Sequence, residues 1–255
     1  ATGLFNGTAA PCFQVPVEGM VWYQGEANTH QPYDYLDLMK RYVNGYRKLW
    51  RKEQLPFYYV QLPNYDVDLN QDVQWPDLRE KQRRALEEIP YSGMAVTMDL
   101  GEDNDLHPHG KMEIGRRLAL LAAHDLYGNE AECTGPVPVR AEVTGEGVRI
   151  SLAHAEGLYV AALEKGSVLR DAEDGSVYQA RVSVVRTSDG EGKAGSGKNG
   201  ENEACLIFSC SSMKGRPVEV RYAYHNVMHG AMIYNGAGLP MSPFAMRVCQ
   251  NSRDR

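Results

Sequence analysis

Hydrophobic residues recur with two different spacings along this chain, and the change between them falls near residue 128. Before that point, short apolar runs typical of buried strands alternate with stretches whose apolar residues recur every three or four positions, as in helices. Pro76 suits the first turn of a helix, and Gly128 is placed to end another. The predicted strands are Glu18–Tyr23, Pro56–Leu62 and Gly93–Asp99, and the predicted helices are Asp34–Lys52, 76–89 and Lys111–Tyr127.

This alternation of strands and helices, with short connections, predicts a parallel sheet in residues 1–128. Parallel strands are normally covered by helices on both faces, and three strands are few for such a sheet. We therefore expect residues 1–128 to form part of a three-layer α/β domain. The remaining strands would come from a segment that precedes Ala1.

Residues 129–255 follow the second spacing, in which apolar and polar residues alternate over short stretches between Gly, Asp and Ser turns. This pattern predicts a separate antiparallel β domain of the sandwich kind. Residues 188–203 are polar and rich in glycine, which predicts a hairpin loop. Gly192, Gly197 and Lys198 in it resemble the start of a phosphate-binding loop, but Asn199 stands where that motif needs Ser or Thr. The predicted strands are Val148–Leu152, Leu158–Leu163, Ala180–Val185, Ala204–Phe208 and Val218–Tyr222.

Composition narrows the possible partners. The formal net charge of −6 gives no basic surface for nucleic acid, and no apolar run reaches membrane-spanning length. The five cysteines show no metal-site spacing, so buried free thiols are the simpler interpretation. The alternative is an exported protein with one or two disulfides, and the sequence leaves both open. The cysteines are Cys12, Cys133, Cys205, Cys210 and Cys249.

Polar side chains follow the predicted parallel strands. Gln24-Gly25-Glu26 follows the first, and the stretch from Asp99 to His107 follows the third. Carboxyl ends of parallel strands meet at one edge of a sheet, where ligands bind. His107 is a candidate general base, and the Gln24 amide is a candidate oxyanion donor. Each has a simpler explanation, because polar residues at strand ends commonly satisfy main-chain groups, and His107 could cap the helix that begins near Lys111.

Two pairs of histidines are candidate metal ligands. His225 and His229 are four residues apart, a spacing that suits zinc on a helix, but their surroundings resemble strand and loop. His107 and His109 flank one proline without two further evident ligands. The sequence therefore predicts no metal site.

Several stretches resemble the sialate O-acetylesterase family, which is related to carbohydrate acetylesterases of the SGNH-hydrolase type. The most specific are WYQGE (22–26) and DLHP (105–108) followed by GRRLA (115–119). The resemblance implies an SGNH-type fold for residues 1–128 and extends in order over nearly the whole chain. The other matching stretches are LFNGTAAP (4–11), YVNGYRKLWRKEQLPFYYVQL (42–62), WPDLREKQ (75–82) and VRYAYHNVMHGAMIYNGAGLPMSPF (220–244).

The resemblance implies roles for particular residues. In this family a serine nucleophile lies in a Gly-Gln-Ser-Asn motif near the start of the α/β domain. His107 would be the catalytic base, Gln24 an oxyanion donor, and Glu26 and Asn28 substrate-binding residues. Because Gly-Gln-Ser-Asn does not occur in this sequence, we expect the chain to be the carboxyl-terminal part of a longer esterase. An upstream segment or a companion chain would then carry the serine.

The acid that orients His107 is less clearly marked. Relatives often place this acid three residues before the histidine, where this chain has Asn104. Asp105, two residues before, is our first choice, and Asp103 or a main-chain carbonyl are the alternatives.

The activity that the resemblance implies is the removal of acetyl groups from carbohydrates, above all from O-acetylated sialic acids, without a metal or organic cofactor. The expected partners are this substrate and the serine-bearing segment, with neither nucleic acid nor a membrane. An acetylxylan or other polysaccharide acetylesterase is the alternative among enzymes. A noncatalytic glycan-binding module, with the β half as the binding unit, is the alternative from another class. The family suggests a secreted, periplasmic or lysosomal location.

Overall fold

A computed structural model describes residues 2–66, 74–161, 166–186, 204–228 and 232–249. The loop predicted at 188–203, with its resemblance to a phosphate-binding loop, lies outside the described residues, and so does His229.

The first half contains a three-stranded parallel sheet with the strand order β1-β2-β3. The strands are β1 (Met20–Trp22), β2 (Phe57–Val60) and β3 (Ser92–Ala95), so the predicted parallel sheet is confirmed. They are shorter than the apolar runs that predicted them. Leu62 and Val96 lie beyond the ends of their strands yet remain buried in the core, because packing continues where strand pairing stops.

Helices cover both faces of this sheet. They are α1 (Tyr35–Trp50), α2 (Trp75–Glu88) and α3 (Lys111–Tyr127). The hydroxyl of Tyr59 in β2 donates to the main-chain oxygen of Gln82 in α2, at 2.7 Å. Its neighbour Tyr58 donates to the Asp125 carboxylate of α3, at 3.1 Å. Because successive strand residues point to opposite faces, α2 and α3 lie on opposite sides of the sheet, and the layers are helix, sheet, helix.

The helix ends follow the local sequence. Pro76 occupies the first turn of α2, where its missing N–H would have no partner in any case. Gly128 ends α3 with a φ of 67°, a left-handed conformation that glycine adopts without steric cost.

The second half is antiparallel, as predicted. Two four-stranded sheets, ordered β4-β5-β10-β9 and β13-β11-β7-β8, accompany a two-stranded ribbon of β12 and β6. Side chains from both sheets share one buried cluster, and the rings of Phe208 and Phe244 lie 6.3 Å apart across it, which gives a sandwich-like arrangement. The strands are β4 (Val137–Thr144), β5 (Gly147–Ala153), β6 (Tyr159–Ala161), β7 (Ser167–Asp171), β8 (Val177–Gln179), β9 (Arg181–Arg186), β10 (Ala204–Ser209), β11 (Pro217–Tyr222), β12 (Met232–Tyr234) and β13 (Phe244–Arg247).

Five of these strands, β4, β7, β8, β12 and β13, were not predicted from the sequence. Three-residue strands such as β8 and β12 are too short to show an alternation. In β4 the pairing register shifts between Pro138 and Arg140, and proline within a run argues against a strand. Tertiary pairing therefore selects strands that local pattern does not mark.

A buried arginine joins the two halves. Arg79 of α2 is fully buried, and its guanidinium donates to main-chain carbonyls on both sides of the junction. Nε binds the oxygen of Leu62 at 2.8 Å and Nη2 binds that of Pro63, both just after β2. Nη1 binds the oxygen of His225 at 2.7 Å, and Nη2 that of Asn226 at 3.0 Å. Burial lowers the pKa of Arg79 to about 9.

Two amide side chains reinforce this junction. Asn64 exchanges two hydrogen bonds with the main chain of Met228, from Nδ2 to the oxygen at 2.9 Å and from the amide nitrogen to Oδ1 at 3.2 Å. Gln61 donates to the hydroxyl of Ser242 at 2.7 Å. The segment 225–228 of the β-rich half is therefore held beside the carboxyl end of β2.

The structure differs in one respect from the interpretation that the cysteines are buried free thiols. All five are free thiols, but Cys205 alone is fully buried and Cys12 is exposed. Among the described residues, no helix has both the length and the apolar character needed to cross a membrane.

Candidate active site at the carboxyl edge of the parallel sheet

Gln24 follows β1 and is held by its main chain. The hydroxyl of Tyr35, the first residue of α1, donates to the Gln24 carbonyl at 2.8 Å, and Nε2 of Gln82 approaches the same oxygen at 3.4 Å. The side-chain amide of Gln24 donates to Oδ1 of Asn28 at 2.7 Å. The structure thus brings together two of the residues that the sequence singled out.

Gln82 ties the ends of β1 and β2 to α2. This residue is fully buried. Its Oε1 accepts from the amide nitrogen of Leu62 at 2.9 Å, while Nε2 lies 3.3 Å from the carbonyl of Val60 as well as near that of Gln24. One side chain therefore satisfies main-chain groups at the ends of two adjacent strands, where sheet pairing no longer does so.

Gly25 allows the chain to turn directly after Gln24. Its φ is 155°, and a Cβ at this position would lie 2.8 Å from Cδ2 of Leu78 in α2. A larger residue would displace the end of the Leu78 side chain and would be strained at this φ. Glu26 then opens a short 3-10 helix, Glu26–His30, and its main-chain oxygen accepts from the Thr29 hydroxyl at 2.6 Å. Glu26 is half-buried.

His107 lies in an exposed turn before α3, anchored by the buried Pro108. The carboxylate of Asp105 accepts a hydrogen bond from the amide nitrogen of His107 at 2.7 Å. This contact runs through the main chain of His107, so Asp105 shapes the turn that presents the imidazole. The ring itself faces solvent.

Glu102 and His109 form a second interaction in this segment. Oε1 of Glu102 accepts from both the amide nitrogen of His109, at 2.8 Å, and its Nδ1, at 2.9 Å. The hydrogen bond from the His109 amide, helped by its ring, lowers the pKa of Glu102. The hydrogen bond to Glu102 in turn raises the pKa of His109.

Ligand atoms of Glu102, Asp105 and His109 lie within 4.8 Å of one another, the one group of this kind among the described residues. The approach of two carboxylates to His109 was not predicted from the sequence. Glu102 and Asp105 already accept hydrogen bonds from within this segment, and His109 is largely exposed, so this is a hydrogen-bonded cluster of the loop.

Arg117 anchors the start of the same segment. This residue of α3 is almost fully buried and binds both carboxylate oxygens of Asp99, at 2.7 and 2.6 Å. It also donates to Glu113 at 3.0 Å and to the carbonyl of Val96 at 2.5 Å. Tyr234 of the β-rich ribbon lies 3.5 Å from Asp99. A bidentate arginine–carboxylate pair has a strongly preferred geometry, so the chain leaves β3 in a set direction.

The loop that follows β1 (residues 23–26, the Gln24 loop) lies beside the stretch between β3 and α3 (residues 99–110, the His107 segment). The two meet through Tyr23 and Lys111. The ammonium of Lys111 lies 4.7 Å from the centroid of the Tyr23 ring. Tyr23 directly precedes Gln24, and Lys111 is the first residue of α3. The structure thus places the two segments in contact at one edge of the sheet, as the parallel order of β1 and β3 predicts.

A hollow of about 460 Å³ opens beside Gln24 and Asn28. Most of its lining residues are apolar or aromatic, and Gln24 and Asn28 are its two amide residues. The other lining residues are Trp22, Tyr35, Leu38, Met39 and Tyr42.

Comparison with known proteins identifies this region. A family model described as carbohydrate esterase, sialic acid-specific acetylesterase, matches residues 8–124. The sialate O-acetylesterase of Rattus norvegicus is 25% identical to the chain, over 96% of this chain and 47% of the rat protein. The sialate O-acetylesterase of Homo sapiens is 26% identical, over 62% of this chain and 34% of its own length. Residues 8–124 thus match the model of this esterase family.

A solved structure supports the same family. The crystal structure of a novel carbohydrate acetylesterase from Xanthomonas citri shares 28% sequence identity with a TM-score of 0.75. The similarity covers 92% of this chain and 52% of that protein. The chain therefore spans about half the length of the rat esterase and of the Xanthomonas citri protein.

The esterase family match includes every candidate residue at this edge: Gln24, Glu26, Asn28, Asp105 and His107. Sequence reasoning missed the supporting residues Tyr35, Gln82, Arg79 and Arg117. Two of them, Arg79 and Gln82, lie in the stretch WPDLREKQ, which carried the resemblance without an assigned role. A polar residue on the inner stripe of an amphipathic helix was the signal that could have drawn attention to them.

Proposed function

We propose that this chain supplies the base and an oxyanion donor of an esterase that removes O-acetyl groups from sialic acids. A serine outside these 255 residues would be the nucleophile. The observation that carries the proposal is the meeting of the Gln24 loop and the His107 segment, through Tyr23 and Lys111, within the region that matches sialic acid-specific acetylesterases.

The reaction would proceed by acyl transfer. The serine oxygen attacks the acetyl carbonyl carbon while its proton passes to the neutral ring of His107. That proton then goes to the departing sugar oxygen, which leaves an acetyl-serine and the free hydroxyl of the sugar. His107 next takes a proton from water, which attacks the acetyl-serine. Acetate leaves as the serine oxygen regains its proton from His107.

Gln24 would stabilise the negative oxygen that forms in each step. A side-chain amide has two N–H groups, and one of them donates to Asn28. The other can donate to the oxyanion without loss of this contact. The two hydrogen bonds to the Gln24 carbonyl and the side-chain contact with Asn28 support this role, because an oxyanion donor acts best when it is already in place.

Asp105 would act on His107 through the turn. Its hydrogen bond to the His107 amide favours a single conformation of this exposed segment. Glu26 and Asn28 would bind sugar hydroxyls. The carboxylate of Glu26 can accept hydrogen bonds, and the amide of Asn28 can both accept and donate them. The hollow beside Gln24 and Asn28 supports this placement of the substrate.

The unpaired edge of β1 supports our proposal that the serine lies outside these 255 residues. Among the described strands, β1 pairs with β2 alone, and Val21 in its centre is 66% exposed. An unpaired strand edge presents main-chain groups that another segment can pair with. We propose that the segment carrying the serine pairs with this edge, next to Gln24.

Fluorophosphonate labelling tests the origin of the serine, because this reagent reacts with serines that a base has activated. The chain is assayed alone and together with the serine-bearing segment, and acetate release is measured in parallel. We expect labelling and acetate release only in the presence of the segment. Stoichiometric labelling of a serine in the isolated chain, together with acetate release, would contradict the proposal.

A substrate panel tests the specificity of the same assembly. O-acetylated sialic acid and acetylated xylan are compared by kcat/KM, and we expect the sialic acid ester to be preferred. A preference for acetylated xylan would indicate a polysaccharide acetylesterase instead. Binding of glycan by the assembly without any acetate release would instead indicate a noncatalytic module.

A further inference from the structure

The two segments of the candidate site are anchored independently. Tyr35 and Gln82 hold the Gln24 loop to the helices on one face of the sheet. Arg117 of α3, on the other face, holds the start of the segment that leads to His107. These anchors leave the distance between the two segments to be set by direct contact, and the ring of Tyr23 beneath the ammonium of Lys111 provides such a contact.

Lys111 occupies a position that disfavours a lysine. It is the first residue of α3, where the helix dipole places partial positive charge and favours acids. The preceding residue, Gly110, has no side chain with which to cap the helix. The negative face of an aromatic ring compensates a cation at this position, because the ring quadrupole attracts the ammonium.

Tyr23 contributes its ring and not its hydroxyl. Among the described residues, none forms a hydrogen bond with this hydroxyl, although the oxygen is buried. Burial, and then the charge of Glu26, raises the pKa of Tyr23 to about 12, so the phenol is neutral. A buried hydroxyl without a partner is unfavourable, so another interaction keeps this ring in place.

We propose that Tyr23 and Lys111 are a positioning pair that sets the separation between the Gln24 amide and the His107 ring. The proposal rests on the proposed esterase function and adds two residues to it. Tyr23 directly precedes Gln24, and Lys111 follows His107 by four residues. Neither residue touches the reacting atoms in this scheme. Loss of their contact shifts the base relative to the oxyanion donor and lowers kcat while KM is retained.

The test uses the chain together with its serine-bearing segment and 4-nitrophenyl acetate as the substrate. Tyr23→Leu removes the ring, and Lys111→Met removes the charge but keeps an apolar stem. We expect each to lower kcat about tenfold with KM within about twofold, the size of a partly desolvated cation–π contact. The double variant should be no worse than either single variant, because both lose the same interaction.

Conservative variants separate this role from general damage. Tyr23→Phe keeps the ring and Lys111→Arg keeps the cation, so both should retain kcat within about twofold. Lys48→Met and Tyr127→Leu remove an exposed lysine and an exposed tyrosine from other helical positions and serve as controls. Additive losses in the double variant, a change confined to KM, or equal losses in the controls would overturn the proposal.

A second measurement distinguishes failure of this proposal from failure of the proposed function. Amide hydrogen exchange is followed in the same variants at residues 102–110 and in the strands of the β-rich half. We expect Tyr23→Leu and Lys111→Met to speed exchange at 102–110 alone. If the unmodified assembly has no esterase activity but shows this pattern, the contact stands and the esterase assignment falls. Unchanged exchange at 102–110 would refute the contact itself.

Discussion

The parallel and antiparallel halves of this chain bury their strands in different ways. In the antiparallel half, two four-stranded sheets face one apolar cluster, and within them β4 pairs with β5 and β7 with β8 across short connections. In the parallel half, three strands leave the outer edge of β1 unpaired among the described residues. Antiparallel strands find partners through short hairpins, whereas parallel strands need longer crossovers. The half that carries the candidate site is also the one for which we propose a further segment at its sheet edge.

The halves also differ in where they bury polar side chains. In the parallel half, buried Gln61, Asn64, Arg79 and Gln82 cluster where β2 ends and α2 packs. Their hydrogen bonds reach largely main-chain groups, and several cross to the β-rich half. The comparison indicates that the antiparallel half acts as a support for the edge at which the chemistry is proposed.

The largest expected effect belongs to His107. His107→Ala should lower kcat at least about a thousandfold in the assembly with the serine-bearing segment, because no other group would take the serine proton. The unfolding transition should stay in place, since His107 lies in an exposed turn. Acetate release and circular dichroism measure these two results. His109→Ala is the control, and similar damage from both changes would refute the assignment.

The next effect concerns the junction between the halves. Arg79→Met leaves the carbonyls of Leu62, His225 and Asn226 without this donor, so we expect the free energy of unfolding to fall by about 3 kcal/mol. Urea unfolding followed by circular dichroism measures the change. Arg84→Met, at a more exposed position of α2, provides the matched comparison. Equal small losses in both variants would mean that the halves are not coupled through Arg79.

Gln24 comes third. Gln24→Ala should lower kcat about a hundredfold with little change in KM, because a lost oxyanion donor acts on the transition state. The values of kcat and KM are measured with a small acetyl ester, because such a substrate makes few contacts beyond its acetyl group. A loss confined to KM would make Gln24 a substrate-binding residue.

The smallest effect concerns Glu102 and His109. Glu102→Gln replaces the carboxylate that raises the pKa of His109 with a neutral amide, so this pKa should return towards its usual value. Any stability from the pair is present below the usual imidazole pKa and is lost as pH rises through the raised value. Nuclear magnetic resonance titration of the His109 ring follows the shift. An unchanged pKa would show that the hydrogen bond does not persist in solution.

The sequence by itself determined the alternation of β1, α1, β2, α2, β3 and α3. Each of these elements has a clear apolar period and a local stop such as Gly128, and such signals act within a few residues. It also placed Gln24 and His107 at one edge, because carboxyl ends of parallel strands must meet there. The motifs around both residues carried the family resemblance.

Only the tertiary structure decided how this edge is supported. Arg79 and His225 are 146 residues apart in sequence, and Asn64 and Met228 are 164 apart. The contact of Tyr23 with Lys111 likewise joins two connections that local pattern treats separately. The short strand β12 depends in the same way on β6, a partner that is distant in sequence. Apolar periodicity reports which face of an element is buried, but a buried polar group is recognisable only once its distant hydrogen-bond partner is in place.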